Sequence, residues 1–279
     1  MVKLGFHVSI SGSIDMAVDR ALELNCDTFQ IFTRNPRSWT SRELREGEAE
    51  AFRDKRGRSR IDPVFGHMPY ILNLASPDEE VYGRSIDSLR SGLERCSSLG
   101  IPMLVTHIGS HLGKGADLGV ARVVEALDSA LDGDDSSVVI LLENGSGSRN
   151  KVGSSFEELN RILVGVAIPE RVALCLDTCH AFAAGYELRT YEGLEGTLES
   201  FDVTIGLGRI GLVHLNDSVG GFGATIDHHE HIGLGEIGLE GFRVFMASGL
   251  ARLPMVMETP VDERRTNEEN MSIARRLAS

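Results

Sequence analysis

The chain has 279 residues, 42% of them hydrophobic, which is enough apolar material for one large core. The formal net charge of -13 argues against a nucleic-acid partner, unless basic residues gather on one surface or bound cations offset the carboxylates. Four cysteines without a CxxC pair favour reduced thiols. No stretch resembles a secretory leader or a membrane span, so we expect a cytoplasmic protein with no membrane partner.

Eight short apolar runs recur along the chain, and each is followed by a loop and an amphipathic segment. The runs are continuously apolar rather than alternating, which is typical of parallel strands buried on both faces. The predicted strands cover residues 3–9, 27–33, 62–68, 103–109, 138–144, 172–178, 211–217 and 254–260. The predicted helices cover residues 12–25, 41–55, 78–99, 117–131, 155–164, 191–205, 239–248 and 263–277.

This alternation of strands and helices predicts an α/β fold, a (β/α)8 TIM barrel, and we expect residues 1–279 to form a single catalytic domain. A doubly wound open sheet is the alternative. The barrel is favoured because no GxGxxG fingerprint follows the first predicted strand.

The carboxyl ends of the predicted strands carry ionisable residues. In a TIM barrel these ends form one rim, at which the active site is built. The second strand ends in Thr33 and Arg34, and the other seven end in His, Asp or Glu. Those seven residues are His7, His67, His107, Glu143, Asp177, His214 and Glu258.

The loops add further ligand-type residues, namely His180 and the DHHEH segment from Asp227 to His231. Each unpaired buried charge would cost several kcal/mol, and almost no Lys or Arg lies in these stretches to pair with them. Mixed imidazole and carboxylate ligands suit zinc or a similar ion, and their number exceeds one tetrahedral site. The sequence therefore predicts two or three divalent ions, which favour displacement at phosphorus or hydrolysis of an acyl bond.

Several segments resemble the endonuclease IV family of apurinic/apyrimidinic (AP) endonucleases, in order across nearly the whole chain. They are HVS at His7, NPRSW at 35–39, THIGSHLG at 106–113, LDTCHAFAAGY at 176–186, VHLND at 213–217 and the loop with Asp227 and His229. The resemblance implies a TIM barrel with three zinc ions. It also implies hydrolysis of the DNA backbone on the 5′ side of an abasic site, leaving a 3′-hydroxyl.

Carried over position by position, the resemblance implies three overlapping sets of zinc ligands. The sets are His67, His107 and Glu143; Glu143, Asp177, His214 and Glu258; and His180, Asp227 and His229. Glu143 would bridge two ions, and Glu143 and Glu258 are the expected catalytic carboxylates.

The resemblance also implies a DNA partner, and we expect a monomer that binds double-stranded DNA containing abasic sites. Arg37 and Tyr70 match positions at which the family enters the minor groove and helps to expel the abasic nucleotide. Such a nucleotide is easily extruded because its pairing and stacking are already lost. The sequence departs from the family pattern at three positions, where Arg, Gln and Lys are expected. They are His228, Ser148 and Val219, and none is a predicted metal ligand.

Other interpretations stay open at this point. A metal-dependent sugar isomerase or epimerase uses the same type of barrel, and a non-catalytic metal-binding or DNA-binding module is a third hypothesis. The third ligand set and the NPRSW loop favour the nuclease. Among individual residues, we expect His7 to support the site rather than to bind metal, and Cys179 and Trp39 to be packing residues.

Overall fold

The computed structural model describes residues 2–39 and 42–279. Within these residues it has ten strands. They are β1 (Lys3–His7), β2 (Thr28–Phe32), β3 (Val64–His67), β4 (Met103–His107), β5 (Val139–Glu143), β6 (Val172–Asp177), β7 (Ile210–His214), β8 (Asp217–Ser218), β9 (His229–Glu230) and β10 (Pro254–Met257). All but β8 and β9 form a closed parallel barrel in the order β1-β10-β7-β6-β5-β4-β3-β2, which confirms the TIM-barrel prediction.

The described residues also form nine α-helices, most of which follow a barrel strand. They are α1 (Met16–Glu23), α2 (Glu48–Arg58), α3 (Glu79–Leu99), α4 (Ala116–Leu131), α5 (Phe156–Gly165), α6 (Thr178–Ala183), α7 (Tyr191–Thr204), α8 (Gly238–Met246) and α9 (Asn267–Leu277). Side-chain caps begin several of them: Asp78 accepts a hydrogen bond from the Val81 amide, and Thr266 forms a capping box with Glu269. Within the described part of the chain, no helix is both long and apolar enough to cross a membrane.

Two helices differ most from the sequence prediction. The helix predicted from position 41 begins at Glu48, because Gly47 before it has a left-handed φ of 79°; position 41 itself lies outside the described residues. The short helix α6 was not predicted. It begins directly after β6 because Asp177 accepts a hydrogen bond from the His180 amide and so caps the first turn.

A layer of apolar side chains closes the barrel beneath its carboxyl end. Its members are Phe65, Val105, Leu141, Cys175, Leu212 and Val256, one from each of six strands. Each lies two residues before a predicted metal ligand, and side chains two apart on a strand share a face. The six predicted strand-end ligands therefore point into the barrel, above this apolar floor.

We expect the floor to contribute strongly to stability. Leu212→Ala removes a fully buried side chain from it and should lower the free energy of unfolding by about 2–5 kcal/mol. Val203→Ala is the control, since Val203 is 83% exposed and its truncation should change stability by less than about 0.5 kcal/mol. Urea unfolding followed by circular dichroism, on metal-free protein, measures both; equal stabilities would contradict this account of the floor.

Candidate metal centre

The predicted ligands meet at the carboxyl rim of the barrel. Five of them are the last residues of their strands, and Glu258 follows β10 directly. The five are His67, His107, Glu143, Asp177 and His214. The other three come from added elements: His180 lies in α6, and Asp227 and His229 lie at the β9 end of the hairpin that β8 and β9 form.

Glu143 is the centre of the cluster. It is 2% exposed, and imidazole nitrogens approach both of its carboxylate oxygens. Its Oε2 lies 3.1 Å from His107 Nε2 and 3.3 Å from His67 Nε2. Its Oε1 lies 3.2 Å from His180 Nδ1 and 3.5 Å from His214 Nδ1. One carboxylate therefore contacts members of all three predicted ligand sets.

The remaining contacts extend the cluster to either side of Glu143. His214 Nδ1 lies 3.5 Å from Glu258 Oε2 and 3.8 Å from Asp177 Oδ2. Asp177 Oδ2 also lies 3.5 Å from His229 Nε2, and His180 Nε2 lies 2.8 Å from Asp227 Oδ1. In each predicted set, one ligand atom per residue lies within 4.8 Å of the others.

These separations fit metal ions. Two ligands of one tetrahedral zinc ion, each about 2.0–2.1 Å from it, lie roughly 3.3 Å apart. Three atoms of the cluster are buried without a hydrogen bond: Glu143 Oε1, His214 Nδ1 and His229 Nε2. Leaving such an atom without a partner costs about 1–3 kcal/mol, and a bound cation would remove that cost. Among the described residues, no Lys or Arg forms an ion pair with any predicted ligand.

The imidazoles are also held in the tautomer that a metal site requires. Four of them donate one ring N–H to a carbonyl or amide oxygen, which leaves the other nitrogen directed at the cluster. The acceptors are Met68 O for His67 (2.6 Å), Asn144 O for His180 (3.0 Å), Gln30 Oε1 for His214 (2.9 Å) and Glu258 O for His229 (3.3 Å). The protein thus orients these rings before any ion binds.

Without metal, the carboxylates attract protons to the rings. Burial by itself lowers the pKa of an imidazole, and it does so for His67. For His107, His180 and His214, the neighbouring acidic groups outweigh burial and raise the pKa.

The carboxylates stay ionised in return. Burial opposes the ionisation of Glu143, but His107 and His214 hold its pKa well below the usual range. Burial also opposes the ionisation of Glu258, yet His214 and His7 hold its pKa well below the usual range. The hydrogen bond from His180 lowers the pKa of Asp227 to about 2.

Several polar residues support the ligands, and the sequence analysis did not single them out. Gln30 lies in β2, accepts from His214 Nε2 and donates to Glu258 Oε1 at 2.9 Å. The second strand therefore contributes Gln30 to the site, rather than Thr33 or Arg34 at its end. A lone amide inside the apolar run TFQIF was the available signal.

Two asparagines that follow strands have a similar role. Asn144 brackets the backbone of Asp177, accepting from its amide at 2.7 Å and donating to its carbonyl at 3.3 Å. Asn216 donates to Asp177 Oδ2 and accepts from the Glu258 amide, both at 2.8 Å. His7 contacts Glu258 Oε1 at 2.8 Å, as expected of a supporting residue.

Cys179 lies against the cluster but is a poor ligand. Its sulfur lies within 4.8 Å of ligand atoms of Asp177 and His229, so geometry alone allows a metal there. Burial raises the pKa of the Cys179 thiol to about 12, and the thiol points to the His228 carbonyl at 3.7 Å. The protonated thiol packs in the interior.

Comparison with known proteins shows the family to which this chain belongs. A family model described as "Xylose isomerase-like TIM barrel" matches residues 18–277. The probable endonuclease 4 of Methanoculleus marisnigri is 52% identical over 280 residues, which cover 100% of this chain and 99% of the relative. The chain belongs to the endonuclease IV family.

Solved structures agree with this assignment. The crystal structure of endonuclease IV from Thermus thermophilus is 38% identical, covers 99% of this chain and 98% of its own, and superposes with a TM-score of 0.88. A D-tagatose 3-epimerase-like protein superposes with a TM-score of 0.72 over 98% of this chain and 96% of its own, at 20% identity. At that identity the epimerase likeness shows the fold alone.

The departures from the endonuclease IV pattern lie on loops above the rim. The Ser148 hydroxyl contacts Ser146 Oγ at 2.9 Å and donates to the Thr225 carbonyl at 2.8 Å, so it ties two loops together. Val219 and His228 are exposed on the hairpin of β8 and β9. These residues change the surface around the centre and leave the ligand contacts intact.

The two predicted DNA contacts lie on successive loops of this endonuclease IV family member. Tyr70 follows β3 and is 59% exposed; its ring centroid lies 5.1 Å from that of Phe32 and 5.8 Å from that of His107. Arg37 follows β2 and is exposed, and its backbone amide is held by Asn35 Oδ1 at 3.0 Å. Trp39 packs instead, with the Arg84 guanidinium 4.6 Å from its ring centroid.

We expect metal binding to displace protons from the rings. In the metal-free cluster, burial lowers the pKa of His180 and His214, but the neighbouring acidic groups outweigh it and raise both pKa values, so these rings hold protons more strongly than free imidazoles do. Zinc binding at pH 7 should then release protons, and the zinc affinity should fall as pH is lowered. Calorimetric titration of metal-free protein in two buffers of different ionisation enthalpy measures this release. Zinc binding with no net proton release would contradict the assignment of these imidazoles as ligands.

Proposed function

We propose that this chain is an AP endonuclease of DNA base excision repair. It hydrolyses the phosphodiester on the 5′ side of an abasic site and leaves a 3′-hydroxyl, with three zinc ions per chain. Residues 1–279 act as one catalytic domain. The protein acts as a monomer in the cytoplasm, the location expected from the sequence. The observation that carries the proposal is the junction of three ligand sets at Glu143, in a chain of the endonuclease IV family.

The ligand assignment follows the three sets. The proposed ligands are His67, His107 and Glu143; Glu143, Asp177, His214 and Glu258; and His180, Asp227 and His229. When bound, the zinc ions supply Lewis-acid chemistry: they activate water and neutralise the charge that develops on the phosphate. The buried atoms without hydrogen bonds and the pre-set imidazole tautomers support this assignment.

The chain's own groups position charge and protons around the phosphate. His7 and Gln30 hold Glu258 Oε1, so Glu258 Oε2 faces the cluster as an ionised oxygen able to accept a proton from water. Glu143 is buried at the centre of the cluster and contacts imidazoles of all three ligand sets. The apolar floor below excludes water from that side, which strengthens every charge interaction in the site.

The loops above the rim supply the DNA contacts. Tyr70 exposes an aromatic ring beside His107, where it can fill the space next to an extruded sugar. Arg37 forms no ion pair with a described residue, so its charge is available to the DNA backbone. The abasic nucleotide lacks a base, and its extrusion into the site costs little.

A sugar isomerase or epimerase remains the alternative that the fold permits. The similarity to the epimerase-like protein extends to the barrel only. The third ligand set and the exposed Arg37 and Tyr70 favour the nuclease, because an enzyme acting on a free sugar needs neither.

Glu258→Gln tests the catalytic assignment. The change keeps the side-chain shape but removes its charge, so cleavage of a duplex with one abasic site should fall at least about 100-fold. Glu240→Gln is the matched control, since Glu240 is 81% exposed on α8 and, among the described residues, pairs only with Arg243. Cleavage rate, duplex affinity and zinc content are measured on the same preparations. Near-parental cleavage by Glu258→Gln with parental zinc content would refute the role of this carboxylate.

Arg37→Ala/Tyr70→Ala tests the DNA contacts. Loss of one phosphate-contacting charge and of the Tyr70 ring should weaken affinity for an abasic duplex roughly 10–100-fold. The slope of log affinity against log salt concentration should become shallower by about 0.9. Zinc content should not change, because neither residue is a proposed ligand. Tyr70→Phe should bind like the parent because it keeps the ring. Arg252→Ala controls for the loss of charge, because Arg252 precedes β10 and so lies at the opposite end of the barrel. Parental affinity and slope in the double variant would show that these loops do not bind DNA.

A further inference from the structure

One loop at the rim carries positive charge that the proposed mechanism does not use. The hairpin segment 216–231 contains no Lys or Arg, although it carries the proposed ligands Asp227 and His229. The loop between β5 and α5 instead carries Arg149 and Lys151, both exposed. Neither forms an ion pair or a side-chain hydrogen bond with a described residue, in a chain where acidic residues outnumber basic ones by 41 to 28. Ion pairing at the surface therefore does not explain why these two cationic side chains are present on this loop.

A tight turn presents both cations. The Lys151 amide donates to the Ser148 carbonyl at 3.0 Å, which closes a four-residue turn of sequence SRNK. Asn150, the third residue, has a φ of +66°, as a type II turn requires, and Asn is one of the few residues that adopts this conformation readily. Arg149 and Lys151 therefore flank the tip of one turn.

Neighbouring loops fix this turn in place. Lys151 forms a β-bridge with Ser110 of the loop after β4, and the Val152 amide donates to the Gly109 carbonyl at 3.0 Å. On the other side, the Ser148 hydroxyl holds the Thr225 carbonyl of the hairpin. A backbone bound on both sides presents its charges with little loss of entropy when a ligand binds.

Lys151 also lies where the metal centre opens into a groove. It lines a small cavity of about 20 Å³ together with His107, Glu143, His180 and Asp227. It also lines an adjoining groove of about 320 Å³, which continues past Arg149 and Ser148 to the first turn of α5 and to Tyr186. Lys151 therefore belongs to the walls of both cavities.

The groove is chemically suited to a phosphate group. Its one acidic side chain, Glu158, is already engaged, since its Oε2 accepts from the Gly153 amide at 2.8 Å. Ser154 and Ser155 also line the groove; their hydroxyl oxygens accept from the Gly147 and Glu158 amides, and each O–H can still donate to a ligand. Cationic side chains and hydroxyl groups are donors that phosphate oxygens accept from.

We propose that this groove binds a backbone phosphate of the cleaved DNA strand, next to the phosphate that lies at the metal centre, with Lys151 and Arg149 as its charged contacts. The inference rests on the proposed function, because the scissile phosphate must lie at the metal centre for its neighbour to enter the groove. It also explains how an acidic chain whose β8–β9 hairpin has no cation holds a polyanion beside that hairpin.

The first experiment measures affinity of the zinc-loaded enzyme for a duplex with a tetrahydrofuran abasic site, against salt concentration. Arg149→Ala/Lys151→Ala should bind roughly tenfold more weakly at about 0.1 M salt. Its slope of log affinity against log salt concentration should be shallower than the parental slope by up to about 1.8. Arg149→Lys/Lys151→Arg keeps both charges and should bind like the parent. Arg58→Ala is the control for charge alone, because Arg58 is 84% exposed at the end of α2, on the opposite side of the barrel. Zinc content is measured for every variant.

The second experiment locates the contact on the DNA. Single phosphates of the abasic strand are replaced in turn by uncharged methylphosphonates, and affinity is measured for the parent and for Lys151→Ala. One position near the abasic site should weaken parental binding and leave Lys151→Ala unaffected, because the contact is already missing in that variant. The same experiment with Arg58→Ala should reproduce the parental pattern.

The outcomes separate this inference from the proposed function. If the parent cleaves the abasic duplex but the double variant matches it in affinity and slope, the groove inference is overturned and the endonuclease assignment stands. The same holds if no methylphosphonate position distinguishes Lys151→Ala from the parent. If the parent neither binds nor cleaves abasic duplexes, the proposed function is overturned, and this inference with it.

Discussion

The site depends on one buried carboxylate. Glu143 ends β5 inside the barrel, where burial by itself would keep it protonated. Imidazoles from four other elements surround its two oxygens at 3.1–3.5 Å, so the charge is retained by positive partners rather than by solvent. Either protons or metal ions must complete this arrangement, because no Lys or Arg of the described chain forms an ion pair with the cluster. The ring tautomers, fixed by carbonyl and amide acceptors, make it ready for metal.

The barrel makes that arrangement possible by simple geometry. Six barrel strands, β3 to β7 and β10, each carry an apolar side chain and, two residues later, a predicted ligand on the same inward face, as Leu141 and Glu143 do in β5. The apolar member closes the barrel and the polar member forms the rim. Two short additions complete the centre: α6 brings His180 from directly after β6, and the β8–β9 hairpin folds back to bring Asp227 and His229.

The distribution of charge resolves the contrast between a net charge of -13 and the proposed polyanionic substrate. Much of the negative charge at the rim is drawn inward to the ligand cluster, where bound cations would neutralise it. Exposed basic groups lie above it on separate loops, Arg37 after β2 and Arg149 with Lys151 after β5. Total charge therefore reports on solubility and long-range repulsion, whereas binding depends on where a few cations lie.

The amino-acid sequence by itself determined the barrel class and predicted the ligand set. Continuous apolar runs ending in His, Asp or Glu occur at regular intervals, and strand ends share one rim in any parallel barrel. The helix α6 escaped prediction because it is six residues long and begins with a cap, Asp177, that is also a predicted ligand. Gln30 and the pairing of Lys151 with Ser110 were decided only by the tertiary structure. Closure of the barrel brings β2 to His214 and one loop against another, and these contacts span too much sequence for any local pattern to reveal them.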